Sequence, residues 1–282
     1  MKAQITYLFL FLFFLILEDG FAKTRIQQND SLLFIRITEK VSDKANLPTG
    51  QLLAEIGKTF LETPYVAHTL ENGKDENLII NLRKLDCTTF AENCLAITQY
   101  LLQGKNSFSD FKEILEDIRY RDGNRDGYCS RLHYFSDWIY NNQEKGLIEI
   151  PHNIPQTSFD GKVNFMSEHP ASYKVLKENP ELIKVIAEQE KQVSARRLSF
   201  LPRSEITKNE HLLKDGDIVG IATSIAGLDV VHVGIVVTKN DRKHLLHASS
   251  SEMKVVISEN TLHDFLQQKK HYTGVLIARA LP

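Results

Sequence analysis

The residue in this chain best placed to do chemistry is a cysteine at the start of a helical pattern. Cys87 sits in LRKLDCTTFAENCLA, directly before an apolar stripe at helical spacing formed by Phe90, Cys94, Ile97 and Leu101. A thiol there meets the unpaired N–H groups and the positive end of the helix, and both favour the thiolate, the attacking form. Asp86 can cap that helix, while Thr88 and Thr89 are polar where a buried structural thiol would want apolar neighbours. Cys94 lies mid-helix on the apolar stripe and reads as a small buried hydrophobe. With Cys129 the chain holds three cysteines, too few for a disulfide framework.

A cysteine nucleophile needs a base, usually a histidine oriented by a third polar group. Ten histidines are available, so no one of them means much alone. His232 stands out because it lies inside DVVHVGIVV, a strand pattern that is otherwise nearly all apolar. A histidine buried there needs a hydrogen-bonding partner, and the bland reading is a satisfied core histidine. His247, in HLLHASSS, ends the next strand pattern. Antiparallel neighbours joined by a short turn can set the two rings side by side. That gives Cys87 as nucleophile, His232 as base and His247 as orienter.

A second cluster gathers Arg119, Tyr120, Arg121, Arg131, His133, Tyr134, Asp137 and Trp138. Arginines fork onto carboxylates and aromatics stack on sugar rings, so the cluster fits a recognition wall beside Cys87. It fits equally a solvated helix face, with Trp138 as a core anchor. No HExxH and no paired Cys or His spacing marks a metal site, and no metal or organic cofactor is expected.

These side chains must be positioned by two different textures. From about residue 30 to 145 the apolar spacing is helical. GQLLAEIGKTFLE carries Thr49 as an N-cap, SFSDFKEILEDIRY is capped by Ser107 or Ser109, and LHYFSDWIYNNQ ends near Gly146. From residue 216 short β-branched runs follow: DIVGIAT, VVHVGIVVT, KHLLHAS, EMKVVIS and YTGVLIARAL, interrupted by one helix, ENTLHDFLQQK. Residues 150–215 hold one clear helix, NPELIKVIAEQEKQVSA, and read as an insertion in a single domain spanning 23–282. Helices first and an antiparallel sheet after them predict an α+β fold, not a doubly wound parallel sheet.

The bulk numbers agree with a packed protein: 282 residues, 42% hydrophobic, 25% charged and a formal net charge of −2. That charge argues against nucleic acid as a partner. Lys2, the apolar run Ile5–Leu17 and the small residues of Gly20–Ala22 read as a secretory signal peptide over residues 1–22, cut after Ala22. The run is short of the roughly 20 apolar residues a spanning helix needs. The expectation is an exported, periplasmic protein with no stable membrane anchor.

The ordered series TPYVAHTL, LDCTTFAENCLA, LKDGDIVGIAT, HVGIVV and HASS resembles the NlpC/p60-type cell-wall peptidases, a papain-like superfamily. YRDGNRDGYCSRLHYFSDWIYNN narrows the resemblance to the N-acetylmuramoyl-L-alanine amidase-like branch, over nearly the whole mature chain. The resemblance implies Cys87 as nucleophile, His232 as base and His247 as third residue. It also implies Tyr65 beside the nucleophile, aiding the oxyanion or substrate, and Asp86 in a structural place before the cysteine. Thr88 and Thr89 replace the serine and glycine common in the superfamily, which puts the shape of the substrate pocket in question. The reaction implied is hydrolysis of the N-acetylmuramoyl-L-alanine bond in muropeptides or anhydro-muropeptides. Cleavage of the γ-D-glutamyl bond to the diamino acid, or wall binding without catalysis, are the alternatives.

Overall fold

The computed structural model describes residues 29–71, 75–159 and 161–282, and the expected signal peptide over residues 1–22 lies outside them. The N-terminal half carries helices α1 (residues 29–40), α2 (Thr49–Thr59), α3 (Cys87–Leu102), α4 (Phe108–Arg119) and α5 (Phe135–Glu144). Their ends follow local chemistry. Asp86 and Thr89 form a reciprocal capping box that starts α3, and Ser107 and Asp110 form another that starts α4. At α2 the expected cap is displaced by one residue. Pro48 holds the cap position, Thr49 is already helical, and no side chain caps the end.

Eight strands form one sheet in the order β2 (Thr157–Phe159), β3 (Leu198–Pro202), β8, β4, β5, β6, β7, with β1 (Ile148–Glu149) also paired to β8. The central strands are β4 (Ile218–Thr223), β5 (Val230–Lys239), β6 (Arg242–Ser249), β7 (Lys254–Thr261) and β8 (Tyr272–Ala280). Every pairing among them is antiparallel, so the structure is α+β as the order of textures predicts. Alternate residues of β4 go to opposite faces. Ile218 and Ala222 belong to the core that holds Phe90, Leu95 and Ile97 of α3, while Val219 and Ile221 belong to a second core that holds Leu262 and Leu266 of α10 (Leu262–Gln267). Both faces are covered, which explains why these strands read as continuous apolar runs rather than as alternation. Helix α3 is buried from Thr89 to Tyr100, as expected of a helix wrapped by sheet and helices on all sides.

Gly216, two residues before β4, has φ 89°, and a Cβ there would stand 1.9 Å from the Gly50 carbonyl oxygen at the head of α2. Only glycine fits there. The next residue, Asp217, is buried and holds Arg279 of β8 in a forked ion pair at 2.8 and 2.9 Å.

Residues 150–215 are richer than the single helix the sequence shows. They contribute β2 (Thr157–Phe159) and β3 (Leu198–Pro202) to the sheet edge. They also add α6 (Phe165–Glu168), α7 (Lys174–Glu178), α8 (Leu182–Ala195) and α9 (Ile206–Asn209). Their short lengths leave no periodicity to detect, and Pro202 breaks the strand pattern of β3. Val163, Met166, Leu176, Ile186 and Val193 form a separate small core against Tyr128 and Tyr134.

Candidate active site

Cys87 is the first residue of α3, placed there by the Asp86 cap. The Asp86 carboxylate accepts the Thr89 N–H at 2.8 Å and the Thr69 hydroxyl at 3.1 Å, so both oxygens serve structure, as the resemblance implies. The helix start does not by itself yield a thiolate. Burial pushes the Cys87 thiol up to about 11 and the Asp86 charge adds to that, against hydrogen bonds from the Val233 and Thr88 backbone and the Thr88 side chain. Loss of water disfavours the thiolate, and the helix end opposes that effect. Cys94 is fully buried in the core, as its place on the stripe predicts, and the three cysteines are unpaired.

His232 and His247 come together. His232 Nε2 and His247 Nδ1 are 2.7 Å apart and the rings stand at 86°. A bulge sets the base. Gly220 of β4 faces Val233 and Ala222 faces Val230, so Val231 and His232 together oppose Ile221. Such a bulge re-aims a side chain, and a strict alternation read from sequence cannot show it. Burial holds His232 down to about 3, with His247 adding to that, and holds His247 down to about 4.

Cys87 and His232 line one cavity of about 370 Å³. Its walls include Tyr134, Phe135 and Trp138 of the α5 region, Met166 and Tyr173 of the insertion, and Asp229 before β5. Tyr65 lies beside Cys87. Its N–H donates to the Met253 carbonyl at 2.9 Å, and its segment bridges Leu85, two residues before the nucleophile. Burial, then the Cys87 and Asp86 charges, raise the Tyr65 hydroxyl above its ordinary range. Among the described residues no group of three or more His, Cys, Asp or Glu side chains is arranged to hold a metal ion.

A family model described as N-acetylmuramoyl-L-alanine amidase-like (AmiA-like) matches residues 55–275. The chain belongs to the N-acetylmuramoyl-L-alanine amidase-like family. A solved N-acetylmuramoyl-L-alanine amidase from Bacteroides uniformis is 37% identical with a TM-score of 0.79, over 83% of this chain and 99% of that one. A structure from Bacteroides fragilis, provisionally named a xylanase, is 41% identical with a TM-score of 0.74, over 79% of this chain and 98% of that one. A Legionella pneumophila protein shares the fold at 19% identity and a TM-score of 0.68, over 92% of this chain and 97% of that one. No curated protein matches the chain.

In this amidase-like chain the second cluster divides. His133 and Tyr134 line the cavity and Trp138 forms part of its floor, stacked on Phe135 at 5.4 Å. His133 Nε2 donates to the Tyr128 carbonyl at 2.9 Å, and burial holds the ring down to about 3. Arg131 and Asp137 stand outside that cavity, already paired within the protein. Arg131 is buried, with Glu71 at 2.8 Å and Glu76 at 3.5 Å. Asp137 is buried between Arg121 at 2.6 Å and Arg196 at 2.5 Å. Arg119 is buried against Glu92 at 2.8 Å. The motif that looks like a recognition wall is thus largely an internal ion-pair scaffold.

Sequence reasoning missed Asp229, Met166, Tyr173 and Phe265. Asp229 Oδ2 accepts the Ser136 N–H at 2.7 Å and so caps α5 from another part of the chain. An acid three residues before His232 was the visible signal. Met166 and Tyr173 lie in the insertion, where nothing in the sequence ties them to the cleft.

Proposed function

We propose that the protein is a papain-like, NlpC/p60-type cysteine hydrolase that cleaves the amide bond between N-acetylmuramic acid and L-alanine in peptidoglycan fragments. The observation that carries this reading is a convergence. Cys87 at a helix start and His232 in a strand bulge line one cavity, with His247 on His232 at 2.7 Å. The family membership supports the amidase chemistry.

The tautomers follow from the base's task. His232 donates its Nε2–H to His247 Nδ1, which leaves its Nδ1 lone pair to take the thiol proton. As the proton moves, Cys87 sulfur bonds to the carbonyl carbon and the C=O π pair moves to oxygen. Backbone N–H groups at the α3 start are the donors assigned to that oxyanion; the Tyr65 hydroxyl, implied for the same task by the resemblance, is not among the cavity's lining residues. The C–N bond then breaks, the amine leaves with the proton held by His232, and a thioester remains. Water, giving a proton to His232, attacks the thioester. The acid is released and the thiol is restored.

The cavity lining favours the muramoyl bond over the γ-D-glutamyl bond. Trp138, Tyr134 and Tyr173 offer apolar faces for a sugar ring, and no lysine or arginine is among the lining residues. A subsite for a carboxylate-rich stem would call for a cation. The signal-peptide pattern supports export to the periplasm, where wall fragments are released. The insertion supplies Met166 and Tyr173 to the wall, which supports action on small fragments rather than intact sacculi.

Mass spectrometry of defined muropeptides after incubation tests this. A free disaccharide plus an intact stem peptide is expected. A product ending in γ-D-glutamate refutes the bond assignment. Undiminished hydrolysis by Cys87→Ala refutes the cysteine mechanism, and wild type that binds but never cuts points to a wall-binding protein.

A further inference from the structure

Helix α10 is the element that the reaction leaves without a task. Its buried Leu262 and Leu266 bolt it to the sheet face opposite α3. Between them Phe265, one turn on from Leu262, reaches both imidazoles. The Phe265 ring lies 6.2 Å from His232 at 26° and 5.5 Å from His247 at 80°. Both are favourable aromatic arrangements, offset-parallel and edge-to-face. Tyr272, at the start of β8, stacks behind Phe265 at 6.0 Å and 14°. The two histidines thus share one aromatic wall that is itself backed by a second ring.

We propose that Phe265 is a positioning residue for the cysteine hydrolase chemistry. It fixes the ring planes of His232 and His247 and keeps water from their mutual hydrogen bond. The inference rests on the proposed roles of the two histidines. Its physical basis is simple. A 2.7 Å hydrogen bond between two neutral imidazoles is easily replaced by water unless an apolar surface covers it. Without that bond the His232 ring can turn, and the tautomer that the proposed base needs is no longer fixed. The low proton affinity of both rings is consistent with such cover.

Titratable groups on the elements packed around the pair include Cys87 on α3, Asp229 just before β5, His244 on β6, His263 and Asp264 on α10, and Tyr272 on β8; Asp229 lines the cavity with His232 and accepts the Ser136 N–H at 2.7 Å, and His244 Nδ1 donates to the Ser258 carbonyl at 2.9 Å. His263 and Asp264 are bonded to each other at 3.1 Å, and Asp264 also takes the Thr261 hydroxyl at 2.7 Å. Burial raises the Cys87 thiol and the Tyr272 hydroxyl, so neither is charged in the acid range. Burial raises the Asp229 carboxyl in the same cavity, so the acid titration of the pair is read ring by ring from the imidazole nitrogens.

The test compares wild type, Phe265→Leu and Phe265→Ala, each checked for folding by circular dichroism. With a muropeptide substrate, Phe265→Ala is expected to lower kcat at least about tenfold with KM nearly unchanged. Its acid limb is expected to move up by one pH unit or more, toward an ordinary histidine. Phe265→Leu keeps the apolar cover, so its acid limb stays while kcat falls less. The second readout needs no substrate: imidazole nitrogen NMR titration of the same three proteins. The His232 and His247 midpoints are expected to rise in Phe265→Ala and not in Phe265→Leu. A folded Phe265→Ala protein with wild-type midpoints overturns the proposal, whether or not the enzyme reading holds. Shifted midpoints in a protein that cuts no muropeptide would instead leave the aromatic cover standing and remove the reaction.

Discussion

His232 Nε2 lies 2.7 Å from His247 Nδ1, and this one contact ties the tautomers of the two rings together. If His232 is to present a lone pair at Nδ1, its proton must sit on Nε2, and His247 must accept it. Replacing His247 by Ala removes that constraint while leaving Cys87 and the cavity in place. A loss of about 10²–10⁴ in kcat is expected, the scale seen when a catalytic histidine loses its orienting partner. His247→Asn offers a carbonyl acceptor and should recover part of the loss. Steady-state kinetics on a muropeptide checks this, and unaltered kcat in His247→Ala would remove His247 from the reaction.

The thiol and its base are both held neutral, the thiol pushed up to about 11 and His232 down to about 3. A resting thiolate–imidazolium pair would react with iodoacetamide at a rate nearly flat from pH 5 to 9. A neutral pair reacts only through its small thiolate fraction, so alkylation of Cys87 should rise steadily over that range. Hydrolysis should hold at mildly acid pH and fall near pH 4. There His247 gains a proton on Nδ1 and can no longer accept from His232. A flat alkylation profile would show that the α3 start stabilises the thiolate more than burial opposes it.

Gly234 stands two residues after His232 and against His247. A Cβ there would lie 2.6 Å from Leu245 Cδ1 and 3.1 Å from His247 Cβ. Gly234→Ala should therefore overpack the sheet by about 1–3 kcal/mol and push β6 away. Because His247 is one of the displaced groups, kcat should fall more than stability alone explains. Thermal unfolding and kcat, measured on the same preparation, separate the two, and full activity in Gly234→Ala would show that β6 absorbs the methyl without moving His247.

How legible all this was follows from the kind of signal each feature leaves. The α3 start was readable because Asp86, Cys87 and Thr89 are local: a cap and the residues it caps are neighbours in sequence. The pairing of His232 with His247 was readable because a short hairpin joins their strands. The burial that pushes the Cys87 thiol up was not, since the groups that take water from it come from distant parts of the chain. Arg131 and Asp137 looked like recognition groups because their partners Glu71, Glu76 and Arg196 lie far away in sequence. The same holds for Phe265, one apolar residue in a short helix until folding sets it against two imidazoles.

Acid should destabilise the fold before most carboxylates titrate. His133, His232 and His247 are held at about 3, 3 and 4, below the ordinary 6.5 of an unfolded chain. Below pH 6.5 the unfolded chain binds protons that the native rings refuse, so stability falls as pH drops from 6.5 toward 4. The cost is about 1.4 kcal/mol per histidine per pH unit once well below 6.5, as an order of magnitude. Denaturant melts at pH 7, 6 and 5 should show this slope, and His133→Gln should flatten it by about one third. An unchanged stability between pH 7 and 5 would show that these rings titrate normally.

Asp137 joins the insertion to the helical half. It is 2% exposed and accepts from Arg121 of the α4–α5 connection and Arg196 at the end of α8. Nearby, the Tyr134 hydroxyl donates to Glu190 of α8 at 2.6 Å and accepts the Met166 N–H of α6 at 2.9 Å. Removing one member of a buried ionic group strands the others, at about 3–5 kcal/mol. Asp137→Ala should therefore destabilise the protein on that scale. Arg196, still stacked 3.7 Å over Tyr140, should keep α8 partly docked, so the loss is local rather than complete. The wall formed by Met166 and Tyr173 should then loosen, raising KM for a disaccharide-peptide and increasing the rate on longer glycan chains. Comparing both substrates in wild type and Asp137→Ala checks the idea; equal loss on both would mean that the insertion stabilises the fold without setting fragment size.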